Sequence, residues 1–210
     1  MLTLEETKTL ESYKKIAGRR NKTHADPNFW KPEFDVFKKL LPQGGQIIDI
    51  GCGAGRDALM FANSRFFNYV GIDLSDEMLA AARELVPRIH LLKMNMYDLE
   101  FPPGIFDGFW AAASLLHIPK KNVRTVLNQI KKVVKPGGTG FIALKKGDGE
   151  RMVRGQSEDD ERFFAFYQDG EFSEILESNG FKILQHQMVT PDHKLHKIRS
   201  EWLTYFVTVL

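Results

Sequence analysis

The chain contains a single cysteine among its 210 residues, so it can form no internal disulfide bond. Its 29 basic and 27 acidic residues give a net charge of +2, too small to indicate nucleic acid or an anionic membrane as a partner. No apolar run reaches the length of a membrane span, and the first residues are not those of a signal peptide. Internal repeats and low-complexity tracts are also missing. These absences lead us to expect a cytoplasmic protein.

What is present is the composition of an ordinary globular protein, with 43% hydrophobic and 27% charged residues. A chain of this length is large enough to bury one sizeable core. Because composition favours no particular activity, the function has to be sought in local motifs.

A glycine-rich turn follows a short apolar strand in the first third of the chain. Residues 47–50 are predicted to form a buried strand, Gly51, Gly53 and Gly55 follow at alternate positions, and a helical pattern begins at Asp57. Glycine is needed in such a turn because a Cβ would block both the backbone conformation and the approach of a ligand. The layout of strand, glycine loop and helix indicates a site where the backbone lies close to a ligand.

The spacing of the glycines indicates which ligand. A dinucleotide site requires the pattern G-x-G-x-x-G, and Arg56 stands where its third glycine is needed. The pattern G-x-G-x-G instead resembles motif I of the class I S-adenosylmethionine (SAM) dependent methyltransferases, which carry an acidic residue at the place of Asp49. Taken alone, the motif also fits a structural glycine turn without a ligand.

A second acidic residue ends the next predicted strand. Residues 68–72 form this strand, and Asp73 follows about 20 residues after the glycines, where the two strand ends return side by side. A carboxylate there can accept both ribose hydroxyls of an adenosine group, and each such bond contributes roughly 1.5–3 kcal/mol. Asp73 and the stretch from Leu74 to Leu79 resemble motif II of the same family. A helix cap is the alternative role for Asp73, but Ser75 suits that role better.

The resemblance implies an α/β fold: a seven-stranded, mostly parallel, doubly wound sheet with an antiparallel C-terminal strand. Residues 45–210 would form the SAM-binding methyltransferase domain, and residues 1–44 an N-terminal helical lid. The predicted helices are 3–17, 28–41, 57–64, 75–86, 121–134 and 170–179, and the strands after the second are 89–93, 106–112, 139–144, 181–189 and 202–209. The first helix is expected to end at Gly18, and a Pro-Gly-Gly turn at 136–138 is expected to precede strand five.

The resemblance also assigns residues to the cofactor. Asn95, where many relatives have Asp, and Met96 would meet the adenine ring, although an ordinary turn is the alternative for this stretch. Tyr13 resembles a tyrosine that many members place against the cofactor; otherwise it is a half-buried aromatic of an amphipathic helix. The residues implied to bind SAM are Tyr13, Asp49, Gly51, Gly53, Gly55, Arg56, Asp73, Leu74, Met78, Asn95, Met96, Ala111 and Ala112.

His117 is the candidate catalytic residue, because it lies just past the end of strand four, at the edge where ligands bind in open α/β sheets. An imidazole, with an ordinary pKa of about 6.5, is suited to take a proton from a nucleophile. A hydrogen-bonded structural role in the turn is the alternative. The remaining histidines, including His193 and His196, show no zinc-like grouping with cysteine, so no metal site is expected.

The stretch 145–162 is the least regular part of the chain. A solvated mobile loop is the favoured interpretation, although Arg151, Arg154 and Arg162 would also suit a loop that holds an acidic substrate. The aromatic residues at 163–167 either wall the substrate pocket or close the core.

The functional hypothesis is methyl transfer from SAM to a small-molecule acceptor by in-line displacement, with S-adenosylhomocysteine as product. We expect a monomer or homodimer without nucleic-acid or membrane partners. The acceptor and the methylated atom are not predicted, because an activated methyl group demands alignment and exclusion of water rather than a fixed catalytic set. The alternatives are an NAD(P)-binding Rossmann oxidoreductase and a SAM-binding protein without catalysis.

Overall fold

A computed structural model describes residues 2–23, 26, 28–64, 67–155, 157, 160–190 and 201–210, with the side chains of residues 19–23 outside the description. The helices are α1 Leu4–Thr23, α2 Lys31–Lys39, α3 Arg56–Ser64, α4 Asp76–Leu85, α5 Lys120–Val133 and α6 Asp169–Ser178. The strands are β1 Gln46–Ile50, β2 Asn68–Asp73, β3 His90–Lys93, β4 Phe106–Ala112, β5 Val134–Lys145, β6 Glu150–Arg154, β7 Glu161–Ala165, β8 Phe181–Val189 and β9 Trp202–Val209. None of the described helices is long and apolar enough to span a bilayer.

Seven strands form one sheet in the order β3-β2-β1-β4-β5-β9-β8. The first five run parallel, and β9 is antiparallel to both β5 and β8. The predicted seven-stranded, mostly parallel sheet is therefore confirmed. Because β1 lies between β2 and β4, the loops after these three strands meet at one edge of the sheet, where ligands bind in this architecture.

The first two helices occupy different places. α2 belongs to the core, since its Phe34 and Phe37 rings pack against Phe61 and Trp110. α1 packs instead on α4 and β7. The division of the chain at residue 44 stays a prediction.

The ends of α1 and α2 differ from the predictions, and each difference involves a glycine or a proline. α1 continues through Gly18 to Thr23, because Gly18 keeps a helical rather than a left-handed backbone and costs only about 1 kcal/mol in a helix. α2 is shorter than 28–41, and Pro32 lies in its first turn, where a proline sets the start of a helix.

Strand five begins earlier than predicted. β5 starts at Val134 and contains the Pro-Gly-Gly segment that we expected to precede it. The pairing with β4 jumps from Phe106–Val134 to Gly108–Thr139, so the segment is accommodated as a bulge.

The predicted solvated loop at 145–162 is wrong. β6 and β7 pair as an antiparallel hairpin, with Met152 opposite Phe163. Burial of Phe163 and Phe164 orders this hairpin on the rest of the protein, and tertiary packing of this kind is not visible in the local sequence. His193 and His196 lie outside the described residues.

Candidate functional site

A cavity of about 200 Å³ opens at the edge of the sheet where β1, β2 and β4 end. The loops after these strands and after β3 form its floor and walls, and α1 covers it. One face of α1 lines the cavity, since the lining residues recur every three or four positions. They are Glu6, Thr9, Leu10 and Tyr13, and Leu2, which precedes α1, also lines the cavity.

The three glycines after β1 all have left-handed backbones, with φ of +77° at Gly51, +54° at Gly53 and +88° at Gly55. A Cβ on Gly51 would stand 2.6 Å from the Ser114 Cβ, and one on Gly55 would stand 3.0 Å from the Ala82 Cβ. A Cβ on Gly53 would meet no atom of the described residues within 4 Å. Packing therefore demands glycine at the first and third positions, whereas Gly53 keeps open space in the cavity.

Four backbone N–H groups of the glycine loop are already used within the protein. Gly53 N–H donates to Asp73 Oδ2 at 2.9 Å, which ties the loop to the end of β2. Three further amides find carbonyl acceptors: Gly51 N–H and Cys52 N–H both donate to Ile72 O at 2.9 Å, and Gly55 N–H donates to Cys52 O at 3.2 Å. A loop bonded in this way does not offer these amides to a phosphate group.

Asp73 lies half-buried at the end of β2 and lines the cavity. In addition to the Gly53 bond, its Oδ1 accepts Ser75 N–H at 2.9 Å. Burial raises the pKa of Asp73, and backbone N–H bonds from Ser75, Gly53 and Leu74 oppose that rise. Because a carboxylate has roughly four acceptor positions, Asp73 retains capacity to accept hydroxyl groups from the cavity.

Two more carboxylates lie beneath the glycine loop. Asp49 is 2% exposed, and Tyr69 O–H donates to its Oδ2 at 2.6 Å. Asp57 accepts Trp110 Nε1–H at 3.0 Å and Arg56 Nη2–H at 2.9 Å. Burial, reinforced by the charge of Asp57, raises the pKa of Asp49 well above its ordinary value.

Asp49→Asn is expected to stabilise the protein without ligand at pH 8 and to have less effect at pH 5. With its folded pKa raised, Asp49 is easiest to bury when protonated, so stability falls as pH rises from the unfolded pKa to the folded one. Each pH unit between the two values costs about 1.4 kcal/mol, and asparagine avoids that cost while keeping an oxygen for Tyr69. Urea unfolding at both pH values measures the difference, with exposed Asp35→Asn as control. An equal gain in the free energy of unfolding at pH 5 and pH 8 would contradict the raised pKa of Asp49.

Tyr13 and His117 join α1 to the turn after β4. Tyr13 Oη lies 2.7 Å from His117 Nε2, and His117 Nδ1 lies 2.6 Å from the Phe163 carbonyl oxygen. A carbonyl only accepts, so Nδ1 carries the proton and Nε2 of the neutral ring accepts from Tyr13 O–H. Arg162 Nη1 donates to the same Tyr13 oxygen at 3.2 Å. Both ring nitrogens of His117 thus have partners, and an acceptor reaches Nε2 directly only if Tyr13 moves away.

Two other hydrogen bonds fasten α1. Phe163 N–H donates to Thr9 Oγ1 at 2.8 Å, and Tyr97 O–H donates to Glu6 Oε1 at 2.6 Å. With the Tyr13 contact, α1 is held by the loop after β3, the turn after β4 and the β6–β7 hairpin.

Ser114 belongs to the cavity wall and was not predicted. Ala113, directly before it, has a φ of +64°, the only left-handed backbone of a non-glycine residue in the described chain. Ser114 Oγ is buried and has no hydrogen-bond partner among the described residues. Because buried hydroxyls are nearly always paired, we expect the occupant of the cavity to supply the partner.

Most residues predicted to bind the cofactor lie on the cavity, namely Tyr13, Asp49, Gly51, Gly53, Arg56, Asp73, Leu74, Met78, Asn95, Met96 and Ala112, as does His117. Gly55 and Ala111 do not line it: Gly55 packs on α4, and Ala111 is fully buried in β4. The binding roles of all these residues stay predictions. Lining residues that were not predicted from the sequence include Glu6, Thr9, Leu10, Tyr97 and Ser114. Helical periodicity was the available signal for the first three.

Comparison with known proteins places these features in a family context. A family model described as a methyltransferase domain matches residues 47–138. The 2-methyl-6-phytyl-1,4-hydroquinone methyltransferase of Synechocystis sp. is 32% identical over 164 residues. That alignment covers 72% of this chain and 50% of the relative, so the chain spans about half the length of this curated protein.

Solved structures share the fold. The Burkholderia thailandensis 1,6-didemethyltoxoflavin-N1-methyltransferase, determined with 1,6-didemethyltoxoflavin and S-adenosylhomocysteine, superposes with a TM-score of 0.77 at 18% identity. The superposition covers 100% of this chain and 92% of that chain. The [4+2]-cyclase SpnF superposes with a TM-score of 0.64 at 20% identity, covering 85% of this chain and 80% of that one.

Proposed function

We propose that this chain, which belongs to the class I SAM-dependent methyltransferase family, transfers the methyl group of SAM to a small-molecule acceptor and releases S-adenosylhomocysteine. The observation that carries the proposal is the cavity between the glycine loop and Asp73. It presents a half-buried carboxylate with spare acceptor capacity beside a loop whose bonded amides offer nothing to a phosphate.

Charge favours SAM over a dinucleotide in this cavity. Among the described lining residues, four carboxylates face one basic side chain, Arg56, which is already bonded to Asp57. A pyrophosphate would bring negative charge toward these carboxylates, whereas SAM carries a positive sulfonium. The oxidoreductase alternative is therefore disfavoured by electrostatics as well as by the missing third glycine.

The remaining lining suits the adenosyl group. Asp73 would accept the ribose hydroxyls, and Met78 and Met96 offer apolar, polarisable surface for the adenine ring. The backbone at Gly53 would lie against the ligand, where a Cβ would intrude. Bound SAM supplies an activated methyl group on a positively charged sulfur. The protein's task is then to align the acceptor and exclude water, and α1 serves the second purpose by covering the cavity.

The hydrogen-bond chain also gives a route for a proton. Tyr13 Oη faces the cavity, so an acceptor can pass its proton to Tyr13 while Tyr13 passes its own to His117 Nε2. The Phe163 carbonyl, which accepts from Nδ1, stabilises the imidazolium that results. Arg162 stabilises negative charge on the Tyr13 oxygen during the exchange. His117 is then a base that acts through Tyr13.

Tyr13→Phe is expected to lower the rate of methyl transfer by roughly 100-fold or more, because general acid–base catalysis contributes at least that much. The measurement is the methylation rate against pH with a proton-bearing acceptor. Tyr205→Phe is the matched control, since that hydroxyl bonds Asp169 and does not line the cavity. A Tyr13→Phe rate equal to wild type, together with an unaltered pH profile in His117→Asn, would remove both residues from the proton route.

Catalysis itself is tested by incubating the protein with SAM carrying a labelled methyl group and a panel of small-molecule acceptors. Transfer of label to an acceptor is the expected result. The second candidate, a SAM-binding protein without methyl transfer, is kept because the same fold occurs in the [4+2]-cyclase SpnF. Tight SAM binding without transfer to any acceptor would favour that candidate.

A cytoplasmic location and a monomeric or homodimeric state are part of the proposal. The single cysteine, which cannot form an internal disulfide bond, supports the cytoplasmic location. Cell fractionation and analytical ultracentrifugation of the full chain test them.

A further inference from the structure

Ser114 carries a buried hydroxyl for which the fold itself has no use. The residue is 6% exposed and lines the cavity from the turn after β4. Its Oγ has no hydrogen-bond partner among the described residues. Leaving a buried hydroxyl unpaired costs free energy, so such groups are nearly always paired in folded proteins. The unpaired Oγ therefore indicates that the ligand of the cavity supplies its partner.

The turn after β4 does not account for this hydroxyl either. Ser114 stands at the N-cap position of a short 3-10 helix, Leu115–His117, where a serine side chain ordinarily accepts a backbone N–H of the first turn. No such side-chain bond forms at Ser114. Its carbonyl oxygen, rather than its side chain, accepts His117 N–H at 3.0 Å. Capping thus gives no reason for a hydroxyl at this position.

The order of the strands places Ser114 across the glycine loop from the ribose contact. In the order β3-β2-β1-β4, Asp73 ends β2, Gly51 follows β1 and Ser114 follows β4. A Cβ on Gly51 would stand 2.6 Å from the Ser114 Cβ, so this side chain packs directly on the loop. With the ribose at Asp73 and the adenine at the loop after β3, the amino-acid tail of SAM extends across Gly51 toward β4.

The amino-acid tail of SAM carries an ammonium and a carboxylate, and the cavity suits the two groups unequally. The ammonium can pair with the carboxylates of the lining. Arg56 is the one basic side chain of the described lining, and it is bonded to Asp57. Because a carboxylate taken out of water needs hydrogen-bond donors, the tail carboxylate requires uncharged donors in this cavity.

Ser114 is the hydroxyl that remains available to the tail carboxylate. Four described lining residues carry a hydroxyl, and those of Thr9, Tyr13 and Tyr97 donate to acceptors within the protein. The side-chain amide of Asn95 is another uncharged donor, but Asn95 follows β3, at the end of the cavity assigned to adenine.

We infer that the Ser114 hydroxyl donates a hydrogen bond to the α-carboxylate of SAM and so holds the amino-acid tail of the cofactor. A hydrogen bond to a charged group contributes more than one between neutral groups, and α1 covers the cavity where this bond forms. The inference rests on the proposed function, since it assigns a contact within the same cofactor site.

The test compares SAM with decarboxylated SAM, which keeps the sulfonium and the ammonium but lacks the carboxylate. Titration calorimetry measures the binding of both ligands to the full chain in wild type, Ser114→Ala and Ser64→Ala. Ser64→Ala is the matched control, since the Ser64 hydroxyl donates to Phe61 O and does not line the cavity. Thermal unfolding of wild type and Ser114→Ala without ligand shows whether the Ser114 hydroxyl has a partner inside the protein.

We expect Ser114→Ala to bind SAM about tenfold or more weakly than wild type and to bind decarboxylated SAM as wild type does. Ser64→Ala should bind both ligands like wild type. The melting temperature of Ser114→Ala without ligand should not fall, because no hydrogen bond within the protein is lost.

Unchanged SAM affinity in Ser114→Ala, an equal loss of affinity for both ligands, or a lower melting temperature without ligand would overturn the inference. Absence of SAM binding to wild type would count against the proposed function and the inference together. Intact SAM binding to wild type with a failed Ser114→Ala comparison counts against the inference alone.

Discussion

Asp73→Ala is expected to weaken the binding of SAM and S-adenosylhomocysteine by about 100-fold or more. Two charge-assisted bonds to ribose hydroxyls, at roughly 1.5–3 kcal/mol each, account for a loss of that size. The substitution also removes the acceptor of Gly53 N–H and Ser75 N–H, so the glycine loop loses its tie to β2. Titration calorimetry with S-adenosylhomocysteine measures the loss directly.

The matched control is Asp76→Ala, three residues further along. Asp76 forms an exposed ion pair with Lys93, with side-chain exposures of 66% and 54%, and does not line the cavity. Pairs of this kind contribute little, so its replacement should leave affinity within about twofold of wild type. Equal affinities for Asp73→Ala and Asp76→Ala would move the ribose contact to another residue.

Gly53→Ala is expected to lower affinity for SAM by tenfold or more while costing only about 1–2 kcal/mol of stability. A Cβ at this position meets no described atom within 4 Å, so the protein itself accommodates the methyl group apart from the left-handed backbone. The new methyl group instead occupies space in the cavity that the ligand requires.

Gly44→Ala is the control that separates the cost in stability from the loss of ligand affinity. Gly44 has a φ of +78°, a Cβ there would also meet nothing within 4 Å, and it lies before β1, outside the cavity lining. Its replacement should therefore cost similar stability in thermal unfolding and leave S-adenosylhomocysteine affinity unchanged. If both variants lose stability equally and both bind like wild type, the ligand does not approach Gly53.

The central sheet was predictable because its determinants are local. A buried strand of isoleucines, alternate glycines and an acidic residue after the next strand each follow from a few adjacent residues, and parallel order then brings Gly51 and Asp73 to one edge. The helix over 75–86 was equally predictable, since Ser75 caps it by accepting Met78 N–H.

The cover of the cavity was not predictable in the same way. The hydrogen bonds from Tyr13 to His117 and from Tyr97 to Glu6 join residues 104 and 91 positions apart, and no local pattern encodes them. The β6–β7 hairpin depends similarly on burial of Phe163 and Phe164 against distant elements. The predicted end of α1 at Gly18 was wrong because an exposed helix position tolerates a glycine. The predicted turn at 136–138 was wrong because β5 includes this segment as a bulge.

The most direct test of this account is titration calorimetry of the full chain with S-adenosylhomocysteine and, separately, with NAD. We expect S-adenosylhomocysteine to bind with one site per chain and NAD not to bind, because four of the loop amides are bonded internally and the cavity is rich in carboxylates. Binding of NAD without binding of either SAM or S-adenosylhomocysteine would contradict it.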